Sequence, residues 1–378
     1  MVSEISLNLH TGASSPASAT CPAEGYKIIV GHGIGSLLGD AVLRVCSIGK
    51  QVAKVAVITH PRLERLYGNE VRDSLKKTGV VPFFFTFPEG ETNKTLGQAE
   101  KIYDFLVQHK FERSSTLMAL GGGVVGDMTG FVAATFLRGI SYIQCPTTVV
   151  AQVDAAIGGK TGVDHAKGKN LIGAFHQPSF VFIDTKKLET LSRREYVAGL
   201  AEVVKYGVIY DEALFSFMET HTQAILNRDQ KSVMYCVKRS AEIKAEVVMK
   251  DEKELSLRKI LNYGHTFGHA VETLTGYRQY KHGEAVAIGM VVAANMAYRL
   301  GIGSLDVVNR QNALLKALGL PTQAKNICPN DIMSVLESDK KVVGGEIYFV
   351  LPEKIGSVCV QKVERKTIAQ MLKEICLN

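Results

Sequence analysis

The sequence has no tryptophan, and aromatic residues make up only 7% of its 378 positions. Proteins that grip single-stranded nucleic acid stack bases on aromatic side chains, so this scarcity argues against that role. Basic runs are missing as well. The formal charge is +7, from 44 Lys and Arg against 37 Asp and Glu, but the cations are dispersed and belong to no nucleic-acid module. A small anionic substrate accounts for the excess more simply, and neither nucleic acid nor membrane is expected as a partner. No C-x-x-C pair occurs among the seven cysteines, Cys21, Cys46, Cys145, Cys236, Cys328, Cys359 and Cys376. That argues against a disulfide framework or a cysteine-rich zinc site, and the residues read as reduced thiols of a cytoplasmic protein. The longest apolar run, residues 285–298, contains Asn295, falls short of a membrane span and reads as a buried helix. A secretory signal is lacking too: residues 1–25 are rich in Ser, Thr and Ala without an apolar core, and read as a disordered leader.

What remains is the composition of a globular chain, 46% hydrophobic and 21% charged, at a length that suits two domains. From residue 26 to 191, β-rich runs at 55–59, 83–87, 116–120, 142–144 and 180–183 alternate with helix-length segments at 62–78, 96–109 and 127–137. Such alternation predicts a Rossmann-like α/β domain with a parallel sheet. From 192 to 378 the character changes: 193–208, 231–250, 262–274 and 284–299 read as helices, with little β signal before 347–351. The expectation is therefore an N-terminal α/β domain, residues 26–191, then a mainly α-helical domain, residues 192–378. The site is expected in the cleft between them, outside the carboxyl ends of the strands.

Two patterns carry chemistry. Gly121-Gly122-Gly123-Val124-Val125-Gly126-Asp127 follows the 116–120 strand and opens a helix. Adjacent glycines let backbone approach a pyrophosphate, and the N–H groups of the helix start bind its charge. A plain tight turn is the equal alternative, since the motif departs from G-x-G-x-x-G and follows a middle strand. A second glycine run, residues 31–35, reads as a flexible turn. In the other half, His265 and His269 stand four apart on one helical face, His282 follows a short loop, and Glu202 lies on an earlier helix. Two histidines and a carboxylate leave an open coordination position, as a catalytic metal requires. Spacing does not decide between His265 and His269. Lys160, Lys169, Asn170, Lys205, Lys244, Arg258 and Asn262 would each singly be a solvated polar group, but together they suit a carboxylate and a phosphate.

In order along the chain stand Pro88-Glu89-Gly90-Glu91-Thr92-Asn93-Lys94, the 121–127 turn, Phe136-Leu137-Arg138-Gly139, and the stretch from Pro146-Thr147-Thr148 to Lys160. Gly168-Lys169-Asn170, the Glu202–Lys205 segment, residues 261–269, His282-Gly283-Glu284 and Asp339-Lys340-Lys341 follow. With these motifs the chain resembles the 3-dehydroquinate synthases of the shikimate pathway, members of the sugar-phosphate cyclase family. The resemblance implies bound NAD and one divalent metal, zinc or cobalt. It implies 3-deoxy-D-arabino-heptulosonate 7-phosphate, a phosphorylated sugar acid, as substrate. Transient oxidation, phosphate elimination, reduction and an intramolecular aldol closure would follow in turn. Glu202, His265 and His282 resemble the family's metal ligands, and Glu254 and His269 its acid/base pair. Asp154, Lys160, Asn170, Lys205, Lys244, Arg258, Asn262 and Lys341 resemble its substrate contacts. Arg138 resembles a residue that reaches the neighbouring subunit's substrate, which implies a homodimer. Glu91, Lys94, Gly121, Gly122, Gly123, Asp127, Thr147, Thr148, Lys169 and Thr190 resemble its NAD contacts, with Lys160 counted here as well. The chain departs from the family at His60, where Asp or Asn often takes the adenosine ribose.

Three other readings compete. A cyclase for a substrate without a carboxylate is disfavoured by Lys244 and Arg258. A metal-dependent NAD alcohol or polyol dehydrogenase is disfavoured by the density of cations. A non-catalytic binding protein has no support in a chain that keeps every proposed ligand and acid/base residue.

Overall fold

The computed structural model describes residues 2–9, 25–46, 54–325, 327–338 and 347–376. The chain divides into two compact units, Met1–Thr190 with Lys244–Lys253, and Leu191–Ile243 with Glu254–Asn378. The return of 244–253 to the first unit departs from the single boundary expected near residue 191. Its cause is long-range pairing: Lys244 donates to Asp154 at 2.7 Å, and Gln177 donates to Glu252 at 2.7 Å. Local pattern carries no trace of such contacts.

The first unit holds β1 (Val2–Leu7), β2 (Tyr26–Gly31), α1 (Leu38–Cys46), β3 (Lys54–Thr59), α2 (Pro61–Lys77), β4 (Val81–Thr86) and α3 (Leu96–Gln108). It continues with β5 (Thr116–Gly121), α4 (Gly123–Thr135), β6 (Ser141–Pro146), β7 (Lys160–His165), β8 (Gly168–Phe175) and β9 (Phe180–Asp184). Seven strands form one sheet in the order β1-β2-β9-β6-β5-β3-β4, parallel except for β1. Side chains alternate along a strand, so each run of apolar residues feeds two cores. Ala56, Ile58, Leu117 and Ala119 pack with α3 and α4, while Val55, Val57, Met118 and Leu120 pack with α1 and α2. The chain leaves β3 outward to β4 but leaves β5 the other way, to β6. The ends of β3 and β5 therefore flank the switch point, where such sheets bind ligands.

Two sequence expectations need correction here, and one element was not foreseen. The leader is not wholly disordered: β1 pairs antiparallel with β2, with Val2 opposite Gly31 and Leu7 opposite Tyr26. As an edge strand it buries only Leu7 fully, so its sequence lacks a strand's apolar alternation. Residues 10–24 lie outside the described residues. The β7–β8 hairpin was not foreseen, because its strands are made largely of glycine and polar residues. The helix expected over 127–137 instead starts at Gly123 and ends at Thr135, where Leu137 and Arg138 both turn left-handed, at φ 50° and 67°.

The second unit contains α5 (Arg193–Ile209), α6 (Glu212–Leu226) and α7 (Gln230–Lys250), whose last residues count with the first unit. It continues with α8 (His265–Leu274), α9 (His282–Arg299), α10 (Leu305–Ala317), α11 (Pro329–Ser338), the hairpin β10 (Ile347–Lys354) and β11 (Ser357–Val363), and α12 (Arg365–Cys376). The segment expected as one helix over 262–274 is broken: a 3-10 turn covers Leu257–Asn262, Gly264 is left-handed, and α8 starts at His265. Among the described residues no helix is long and apolar enough to cross a membrane.

Candidate functional site

In the second unit the site is built on three helices. Ser192 caps α5 by accepting from the Glu195 N–H at 3.3 Å, and nearly every residue from Tyr196 to Ile209 is buried. Glu202 sits in the middle of this helix with no solvent exposure. Gly283, in the first turn of α9, lets that helix approach α5: a Cβ there would lie 1.8 Å from the Ala198 carbonyl oxygen. Arg194 clamps the same corner with two 2.7 Å bonds to Glu284, whose carboxylate also takes the Lys281 N–H at 2.8 Å. The first residue of α9, His282, is thereby held against Glu202.

The resulting cluster is tight. His265 Nε2 lies 3.4 Å and His282 Nε2 3.5 Å from Glu202 Oε1. One ligand atom from each of the three residues lies within 4.8 Å of the others. His269 is not a member of this triple, although its ring centroid is 5.5 Å from that of His265 and 6.3 Å from that of His282. The Lys205 ammonium contacts Glu202 Oε2 one turn along α5. Burial alone would raise the Glu202 carboxyl, but Lys205 and the two imidazoles hold it well below its ordinary value. Burial lowers His265. Burial also pulls on His282, yet Glu202 and Glu272 outweigh it and raise that ring to about 10. Two carboxylates around one imidazole make this a cation-holding environment. Oε2 of Glu202 is taken up by Lys205, while Oε1, which faces both imidazoles, is the oxygen placed for a metal.

Close by in this unit, Asn262 donates to Glu254 at 2.7 Å, and Glu254 is held left-handed at φ 60°. Arg258 is almost wholly buried. Lys341 lies outside the described residues. Glu272 was overlooked in the sequence: its carboxylate accepts at 3.4 Å from His282 Nδ1. The signal was present, since 265, 269 and 272 follow a helical stripe.

In the first unit, Gly121 ends β5 and Gly122 caps α4 in extended conformation. A Cβ on Gly121 would lie 2.6 Å from the Val125 side chain, so only glycine lets strand and helix meet there. Thr147 donates its N–H to Gly121 O at 2.9 Å, and Thr148 Oγ1 accepts from Ala151 N at 3.2 Å. Beside the turn, buried Lys94 donates to Asp127 at 2.6 Å and to Asn170 at 2.5 Å. Burial raises Asp127 and would lower Lys94, but the charges of Asp127 and Glu91 raise Lys94, which keeps its proton. Lys169 stands 3.4 Å from Glu91. Asn170, expected on substrate, thus spends its amide oxygen on Lys94. Lys244 and Asp154 are brought together at 2.7 Å. Lys160 and Arg138 are exposed, and Thr190 is anchored to Lys187 O at 3.2 Å and to the Tyr67 hydroxyl. His60 follows β3 at the switch point, with its Nδ1 buried, 3.9 Å from Glu89 and without a hydrogen bond. Burial lowers its pKa, so the ring is neutral at physiological pH. The 31–35 turn is no loose loop: Asp184 accepts from Gly33 N at 2.7 Å and from Ile34 N at 3.1 Å.

Comparison with known proteins bears on this geometry. Residues 84–198 match the family model described as 3-dehydroquinate synthase N-terminal, and 199–342 match 3-dehydroquinate synthase C-terminal. The 3-dehydroquinate synthase of Acaryochloris marina is 48% identical over 360 residues, covering 93% of this chain and 96% of its relative. The chain belongs to the 3-dehydroquinate synthase family. It is an enzyme. The 3-dehydroquinate synthase of Thermodesulfovibrio yellowstonii is 46% identical over 351 residues, covering 92% of this chain and 97% of the relative. Among solved structures, 2-epi-5-epi-valiolone synthase from Streptomyces hygroscopicus, with NAD+ and Zn2+ bound, is similar at TM-score 0.85 and 25% identity, covering 97% of this chain and 99% of that one. Glycerol dehydrogenase from Schizosaccharomyces pombe shares the fold at TM-score 0.67 and 15% identity, covering 92% and 88%. At that identity the likeness is one of fold alone.

Proposed function

We propose that the chain converts 3-deoxy-D-arabino-heptulosonate 7-phosphate to 3-dehydroquinate and phosphate, with NAD recycled within each turnover and one divalent metal, zinc or cobalt, at Glu202, His265 and His282. The observation that carries this reading is the convergence of those three ligand atoms within 4.8 Å in a chain of this family. The donor set fits a catalytic metal: two imidazole nitrogens and one carboxylate, with room for a further ligand. The glycine turn, with Lys94 and Asp127 beside it at the β3/β5 switch point, supports NAD there. Bound in these places, NAD would supply a transient hydride acceptor, and the metal held by Glu202, His265 and His282 would polarise the hydroxyl being oxidised.

The remaining work falls to side chains. Arg258 and Lys244 bind the carboxylate, and Lys160 and Asn262 the phosphate, as fixed cations and donors that hold the substrate in a reactive pose. Asn170 keeps Lys94 in place. Glu254, oriented by Asn262, and His269 move protons in the elimination and ring-closing steps. Lys205 keeps Glu202 ionised. Arg138, exposed in a left-handed turn, suits a residue offered to a second subunit, and a homodimer is part of this reading.

The test is stoichiometry. With catalytic NAD and excess heptulosonate phosphate, one phosphate is released per substrate consumed and no NADH accumulates. Stoichiometric NADH without phosphate release would overturn the reading in favour of a dehydrogenase.

A further inference from the structure

A buried carboxylate stands behind the histidine that begins α9. Glu272, near the end of α8, is almost wholly buried, and both its oxygens lie 3.4 Å from Nδ1 of His282. The other ring nitrogen of His282, Nε2, lies 3.5 Å from Oε1 of Glu202. One imidazole is thus held between two carboxylates on opposite edges. We propose that Glu272 is a positioning residue for metal binding: it takes the Nδ1 proton of His282 as a hydrogen bond and so presents Nε2, with its lone pair, toward Glu202 and His265.

The physical case rests on placement. Glu272 follows His265 by seven and His269 by three, so α8 carries all three on one face. A neutral imidazole bears one N–H, and whichever nitrogen donates fixes the other as the ligand atom. An uncharged acceptor would serve for direction alone. A carboxylate also makes Nε2 more basic and strengthens its bond to a cation. His265 is oriented separately, by the Tyr263 carbonyl at 3.0 Å from its Nδ1. The two histidines therefore differ: His265 has a backbone acceptor that no side-chain substitution removes, and His282 has one that can be removed.

The inference rests on the metal reading above, and its test separates the two. Zinc affinity of the full chain is measured by competition with a chelator, for the parent and for Glu272→Leu, Glu272→Gln and Glu202→Ala. Glu272→Leu weakens zinc about 10- to 100-fold, and Glu272→Gln, which keeps an accepting oxygen but not the charge, weakens it measurably but by less than Glu272→Leu does. In the zinc-loaded protein the Nδ1–H resonance of His282 carries the downfield shift of a bond to a carboxylate in the parent, a weaker shift in Glu272→Gln, and none in Glu272→Leu. A folded Glu272→Leu with parental affinity and parental His282 shifts overturns the inference, even if Glu202→Ala loses zinc. If Glu272→Leu fails to fold, parental zinc affinity in Glu272→Gln overturns it. Parental zinc affinity in Glu202→Ala overturns the metal site itself.

Discussion

Nε2 of His282 stands 3.5 Å from Oε1 of Glu202, the same oxygen that faces Nε2 of His265 at 3.4 Å. One carboxylate oxygen that gathers two imidazoles is the geometry of a three-ligand metal site. Prolonged chelation is therefore expected to abolish phosphate release, and added zinc or cobalt to restore it. Glu202→Ala should lose at least roughly 100-fold in metal affinity. Elemental analysis beside the activity assay checks this, and full activity in a metal-free preparation would falsify the assignment.

Arg258 is buried to within 1% of its surface, which suits a fixed cation rather than a solvated one. Arg258→Leu is expected to lower kcat/KM for the heptulosonate by about 2–4 kcal/mol, roughly 30- to 900-fold. The loss should be much smaller for a sugar phosphate lacking the carboxylate. Steady-state kinetics on both substrates decide it, and an equal loss on both removes the carboxylate role.

Arg138 turns outward at φ 67°. If it serves a neighbouring subunit, Arg138→Ala and His269→Ala, each nearly inactive, complement one another when mixed and allowed to exchange. Each mixed dimer then carries one complete site, and activity recovers to roughly a quarter of the parent's. Activity no greater than the sum of the separate variants, with exchange verified by tagged subunits, counts against the shared site.

Asp211 caps α6 by accepting from Leu214 N at 3.0 Å and pairs with Arg239 Nε at 2.5 Å. Burial works against its charge, but the Arg239 bond and the backbone N–H groups of the helix start hold its pKa below the ordinary value. A depressed folded pKa means that the stabilisation is fully present above the unfolded value, near 4, and is lost as pH falls through the folded one. Asp211→Ala is expected to cost about 1–2 kcal/mol at pH 7, with the gap from the parent closing below about pH 4. Thermal melts from pH 7 to pH 3 measure this, and a gap unchanged over that range would show that packing, not charge, is responsible.

How much of this was legible in the sequence depends on the range of the interaction. The alternation over residues 55–58 and 117–120 announces buried parallel strands, because the two faces of a strand are encoded by adjacent residues. The order of motifs from Pro88 to His282 identifies the family, because the chemistry requires particular residue types at each step. The edge strand Val2–Leu7 stayed hidden because a strand stabilised by backbone pairing needs little apolar pattern.

The sequence by itself determined the α/β half followed by the helical half, the family, and the set of residues available for chemistry. Only the tertiary structure decided which of those residues meet. His265 and His269 lie on one helical face, so spacing treats them alike. The packing of α5, α8 and α9, made close by Gly283, brings Glu202 to His265 and leaves His269 outside the triple. It likewise sets Glu272 behind His282, Lys205 on Glu202, and Asn170 on Lys94. These pairings join residues on different elements or select one rotamer among several, and they exist only once burial has removed water as the competing partner.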